Sequence, residues 1–184
     1  MKTWITSDLH FGHTNIMKFC PQTRSHYRDV DHMNSEMIRL WNESVESKDL
    51  VYILGDVAFL SAERATSIMR SLNGDKILIK GNHDSKLIKD KKFSDCFVEV
   101  HDYLKRSIDK ITVIMFHYPI SEWDQMHKGS VHFHGHLHGN DNGMPNSRAF
   151  DVGFDATGKV VSAMDLMIKQ ALKGNIRKHH QKGE

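Results

Sequence analysis

Val-His-Phe-His-Gly-His-Leu-His-Gly, residues 131–139, carries a histidine at every second position: His132, His134, His136 and His138. Neutral imidazole is the commonest side-chain ligand for transition metals. In an extended segment this alternation sets all four rings on one face. Gly135 and Gly139 let the backbone turn around the last two. Four imidazoles in a row do not complete a catalytic metal site, which also needs carboxylates and open positions. What matters next is which other segments end near this one.

Residues 2–7 alternate as a strand and stop at Asp8-Leu9-His10, followed by a polar loop, Phe11 to Asn15. Residues 50–54 form a continuous apolar run, as in a strand buried on both faces, and stop at Gly55-Asp56. Residues 76–80 stop at Gly81-Asn82-His83-Asp84, and residues 111–116 stop at His117. Residues 131–134 stop at Gly135-His136. Further strands are expected at 97–100, 103–107 and 149–152. Helical spacing of Met33, Met37, Leu40, Trp41 and Val45 predicts a helix over 31–45 with Asp31 as its cap. A second helix, over 61–72, is capped by Ser61 and stopped by Asn73-Gly74. A short one over 85–90 follows Asp84. A last one is capped by Ser162, with Asp165 at its third position, and closed by Gly174.

Five strands therefore stop at a metal-competent side chain: Asp8, Asp56, Asn82, His117 and His136. In α/β sheets ligands gather beyond the carboxyl ends of strands. Strands lie about 4.8 Å apart, so such residues can meet around two ions roughly 3.5–4 Å apart. His10 and His138 each follow a first ligand by two positions, a step that returns to the same face of an extended chain. The ordered set Asp8-x-His10, Gly55-Asp56, Gly81-Asn82-His83-Asp84, His117 and Gly135-His136-x-His138 resembles the five signature blocks of the calcineurin-like metallophosphoesterase superfamily. The stretch Ser7 to Ile16 is similar to small bacterial and phage members of it.

The resemblance implies a four-layer α-β-β-α sandwich of two mixed sheets. It implies one metal held by Asp8, His10, Asp56 and His138, and a second held by Asp56, Asn82, His117 and His136, with Asp56 bridging. A carboxylate has lone pairs enough for both ions, and the neutral carbonyl of Asn82 limits negative charge facing a phosphate. A hydroxide between the ions would attack phosphorus in line. His83 matches the family's non-ligand histidine, hydrogen-bonding a phosphate oxygen or protonating the leaving oxygen. The expected function is hydrolysis of phosphomonoesters or phosphodiesters, with nucleotides, a cyclic diester or a nucleic-acid end as candidate substrates. We take manganese first among the divalent ions, with zinc, iron or nickel as alternatives, because nitrogen and oxygen donors without thiolate admit all four. The alternatives are a non-catalytic metal-binding scaffold on the same fold and a structural zinc protein built on the histidine run.

The rest of the chain bounds this reading. With 184 residues and a formal charge of +2, one domain over 1–174 is expected, followed by a basic polar tail over 175–184. Near-neutral charge gives no argument for a nucleic-acid or membrane surface, and no apolar run is long enough to span a bilayer. Two distant cysteines, Cys20 and Cys96, exclude a Cys-x-x-Cys zinc ribbon and point to the reducing cytoplasm. Asp84 reads as a helix cap or a partner of His83. His132 and His134 read as buried histidines and not ligands. His13 and Asn15 either touch substrate or shape the loop. Arg24 and Arg28 read as a solvated loop, and His101, His127, His179 and His180 as exposed.

Overall fold

The short apolar runs become two sheets. The structure is a computed structural model that describes residues 1–177. In chain order its elements are β1 Thr3–Thr6, α1 Ile16–Phe19, α2 Pro21–Arg24, α3 Val30–Ser44, β2 Leu50–Ile53, α4 Ala62–Ser71 and β3 Asp75–Ile79. Then come α5 Lys91–Ser94, β4 Glu99–His101, β5 Tyr103–Ile108, β6 Ile111–Phe116, β7 Val131–His134, β8 Ala149–Asp151, α6 Phe154–Thr157, β9 Ser162–Ala163 and α7 Met164–Ala171. The first sheet has the order β4-β3-β2-β1-β9, all parallel except β9. The second has the order β5-β6-β7-β8, with β5 antiparallel and the rest parallel. Two mixed sheets with flanking helices is the architecture expected.

Period-two alternation divides the core. Ile5, Tyr52, Leu54, Ile77 and Ile79 of the first sheet meet Leu104, Val113, Met115, Val131 and Phe133 of the second, and α7 adds Met164, Met167 and Ile168. The opposite face of the first sheet, Val51, Ile53 and Leu78, packs on Met33, Met37 and Trp41 of α3 and on Ala65 and Met69 of α4. On the outer face of the second sheet, Ile114 and Ala149 are covered by Trp123 and Met126, which belong to a loop with a short 3-10 turn.

The helix caps differ from expectation. Asp29, in extended conformation, caps α3 by accepting the His32 N–H at 2.8 Å, and Asp31 falls in the first turn. Only a residue outside the helix can aim its carboxylate back at the free N–H groups. Ser61 caps α4 as expected, accepting from Arg64 N–H. Ser162 does not cap the last helix: its backbone pairs with Ile5 in β9, and Ala163 takes the cap position without a side-chain bond. His101 is partly buried, its Nε2 2.6 Å from Glu99. Of the expected tail, Asn175 N–H donates to Asn146 O, while 178–184, with His179 and His180, lie outside the described residues.

His132 and His134 are fully buried on β7. His132 Nε2 accepts the Ile120 N–H. Burial, with the nearby His134 ring, pushes His132 down to about 3. The unfolded chain therefore takes a proton below about pH 6.5 that the folded chain refuses, so stability falls as pH drops from there toward 3. A His132→Gln chain lacks this loss. Urea unfolding at pH 6 and at pH 5 should show the advantage of the wild type over the variant shrink by about 1 kcal/mol.

Candidate metal centre

The strand ends do converge, but through turned rather than extended backbone. Asp8, His10, Asp56, His136 and His138 all lie in the left-handed region, with φ between 52° and 70°. Each such residue costs roughly 1–2 kcal/mol without a glycine's freedom, and clusters of them mark sites where side-chain aim matters. The expected two-residue step in extended chain is therefore not how Asp8 and His10, or His136 and His138, come together. The four histidines of 131–139 do not share one face either. Extension stops at His134, after which His136 and His138 turn to the rim while His132 and His134 stay in the core.

These loops are tied to one another. Asp8 N–H and His10 N–H donate to Gly55 O and Asp56 O, continuing the β1–β2 pairing past the strands. The two sheets are joined at the same rim by Phe154 N–H to Ser7 O and by His136 N–H to Asp8 Oδ2 at 2.9 Å. Gly135 sits where the sheets touch: a Cβ there would collide with Ser7 Oγ and Asp8 Oδ2. A Cβ on Gly81 would likewise strike Asp56 Oδ1.

Two groups of ligand atoms result, Asp8 with His10 and His138, and Asp56 with His117 and His136, each within 4.8 Å of one another. Asp8 Oδ1 lies 3.7 Å from His10 Nε2 and 4.0 Å from His138 Nε2. Asp56 Oδ2 lies 3.9 Å from His10 Nε2 and 3.7 Å from His117 Nε2, so it faces both groups. These separations are too long for hydrogen bonds. Asp8 Oδ1 and both ring nitrogens of His10 are buried without a hydrogen-bond partner, a costly state unless a cation satisfies them. His117 Nδ1 is 2.7 Å from Leu54 O, which only accepts, so the proton sits on Nδ1. The lone pair of Nε2 then faces Asn82 Oδ1, another electron donor, at 2.9 Å. Both atoms can serve as ligands to one cation. The donor set thus fits divalent metal.

His83 stands apart from these groups, half-exposed, with Nε2 3.9 Å from Asp56 Oδ2 and its ring 4.6 Å from Phe59. Its backbone N–H donates to Asp56 Oδ1 at 3.0 Å, which turns Oδ2 toward the imidazoles. His13 also packs against Phe59, at 4.2 Å, with burial lowering its pKa. Asn15 only begins α1, through its backbone.

Two supporting residues are placed differently from expectation, and a third, Asp155, was not foreseen. Asp84 is neither a helix cap nor a partner of His83. Fully buried, it accepts the N–H groups of Asp56, Val57 and Gly81 at 2.8–2.9 Å and so fixes the Asp56 turn. Burial pushes its carboxyl up, against the pull of those N–H groups. Arg24 is not solvated: it is fully buried and ion-paired to Asp155 at 2.8 Å. Arg28 is exposed, as expected. Asp155 was not legible as a site residue, although Asp151-x-Gly153-x-Asp155 follows another strand that ends at the same rim. Its Oδ2 is 2.7 Å from His138 Nδ1. Burial raises Asp155, but bonds from His138, Arg24 and Thr23 hold it well below the usual carboxylate range. Asp8 is likewise raised by burial and drawn lower overall by His10, His117 and His138. Cys20 also approaches His138 and Asp155, and burial pushes its thiol up to about 11.

Metal-competent groups gathered at the carboxyl ends of two facing mixed sheets define a metallophosphoesterase fold. The chain belongs to the calcineurin-like phosphoesterase family, whose sequence model matches residues 1–106. That match ends before His117, His136 and His138, so those three candidates rest on the geometry above. An uncharacterized protein of Methanocaldococcus jannaschii is 30% identical over 184 residues, covering 95% of this chain and 94% of its own. The Gene 66 protein of Mycobacterium phage D29 is 28% identical over 180 residues, covering 83% and 87%. Among solved structures, a protein of unknown function from Aquifex aeolicus shares the fold with a TM-score of 0.70 at 22% identity, covering 92% of this chain and 98% of its own. Membership implies divalent metal ions and phosphate-ester substrates. Among the described residues no helix is long and apolar enough to cross a membrane.

Proposed function

We propose that the chain is a dinuclear metal-dependent phosphoesterase, with residues 1–174 as its single working domain in the cytoplasm. The observation that carries this is Asp56 Oδ2, which faces His10 Nε2 at 3.9 Å on one side and His117 Nε2 at 3.7 Å on the other. Asp8, His10 and His138 would hold one ion, and Asn82, His117 and His136 the other, with Asp56 shared. Bound there, divalent ions acidify water for attack on phosphorus and offset charge on the phosphoryl oxygens. Nitrogen and oxygen donors without a thiolate suit manganese first, with zinc, iron or nickel as alternatives.

The chain's own residues do the rest. His83 reaches past Asp56 toward the substrate and donates a proton to the leaving oxygen, or a hydrogen bond to a phosphoryl oxygen. Asn82 adds a donor without adding negative charge. Beside His83 runs an open groove of about 570 Å³ lined by Phe59, Leu60, Arg64 and Lys86. An aromatic face with two cations suits a substrate bearing a ring and further phosphate, so nucleotide-like mono- or diesters are the favoured class.

The test is hydrolysis of an aryl phosphomonoester and an aryl phosphodiester by protein loaded in turn with manganese, zinc, iron and nickel. The expected result is turnover that disappears on chelation and returns with manganese. Silence with every metal and both esters supports the scaffold reading instead.

A further inference from the structure

We propose that Asp155 and Arg24 are positioning residues for one half of the centre, the group Asp8, His10 and His138. This rests on the metal-centre reading proposed above. Neither residue belongs to the five blocks: Arg24 ends α2, and Asp155 lies in α6, 131 residues further on.

Every side-chain polar atom of the pair is hydrogen-bonded. Asp155 Oδ1 accepts from Arg24 Nε at 2.8 Å and from Thr23 Oγ1 at 2.5 Å. Its Oδ2 accepts from Arg24 Nη2 at 2.9 Å and faces His138 Nδ1 at 2.7 Å. Arg24 Nη2 also donates to Asp8 O at 2.7 Å, and Nη1 donates to Leu9 O at 3.0 Å. The guanidinium lies over the Phe154 ring at 4.7 Å. One ion pair thus grips both chain segments that carry this ligand group: the left-handed turn at Asp8, by its carbonyl, and His138, by its ring.

The pair serves positioning and not bulk stability. A buried ion pair is on average no more stabilising than apolar residues of the same volume. What it does supply is direction. Accepting a hydrogen bond from His138 Nδ1–H leaves Nε2 as the atom presented to Asp8 Oδ1, 4.0 Å away. The carbonyl bonds hold Asp8 at φ 56°, a conformation with no glycine to ease it. The other ligand group makes no such contact: His117 is oriented by Leu54 O, and Asp56 by Asp84 and the His83 N–H.

The experiment is a manganese titration of the full, metal-free chain, followed by calorimetry and by the metal's magnetic resonance. The wild type is expected to show two binding steps. Asp155→Asn is expected to weaken one step by about 10–100-fold and leave the other in place. Should that variant fail to fold because Arg24 is left charged and alone, Arg24→Met/Asp155→Asn removes both charges. The double variant is expected to fold and to show the same selective loss. Two steps of wild-type affinity in either folded variant overturn the inference, as does an equal loss in both steps or a double variant that cannot fold. Each of those leaves the metal-centre reading standing. A wild type without two steps removes that reading itself.

Discussion

An Asp56→Ala chain is expected to bind neither ion tightly and to lose turnover by about 10³-fold or more. Asp56 is the residue whose one oxygen faces imidazoles of both groups, at 3.9 Å and 3.7 Å. Removing it takes a shared negative donor from two sites at once, and metal charge stabilisation is worth several kcal/mol in the transition state. The fold should survive, because the Asp56 turn is held through its backbone by Asp84. Steady-state hydrolysis of an aryl phosphate with elemental analysis of the dialysed variant checks this. Parental rates in the variant would rule the shared-carboxylate mechanism out.

His83→Ala is expected to separate chemistry from metal binding. His83 belongs to neither ligand group, although its Nε2 lies 3.9 Å from Asp56 Oδ2, and its half-exposed ring lines the groove. Both ions should remain, while kcat falls by about 10²–10⁴-fold. The fall should be steeper for an ester with a poor leaving group than for a nitrophenyl ester, which needs little help from an acid. A loss that is the same for every leaving group would instead assign His83 to holding a phosphoryl oxygen.

The candidate ligands were legible because their signal is local. Each sits within four residues of the end of an apolar strand, and a strand announces its end. Asp8, Asp56, Asn82, His117 and His136 reach one rim for that reason. The backbone that aims them was not legible. In an extended segment the alternation of 131–139 sets four rings on one face, and Gly135 only permits a turn; the approach of Asp8 Oδ2 and Ser7 Oγ, where Gly135 lacks a Cβ, fixes it. That clash partner is more than a hundred residues away. Arg24 and Asp155 were hidden in the same way, since a lone arginine after a proline looks like solvated loop until its partner is known. The helices α1, α2, α5 and α6 have four residues each, barely one turn, too short for a 3.6-residue period to register. Asp29 and Asp31 both satisfy the composition rule for a cap, and only backbone conformation chooses between them.

In the proposed centre the Asp56 carboxylate joins two cation sites built from five strand ends. Metal content is to be counted by elemental analysis in the reconstituted chain and in Asp8→Ala. Two ions per chain are expected in the wild type, with a loss confined to one site in the variant. One tightly held ion, unchanged by Asp8→Ala, would contradict it and return the 131–139 histidines to a structural role.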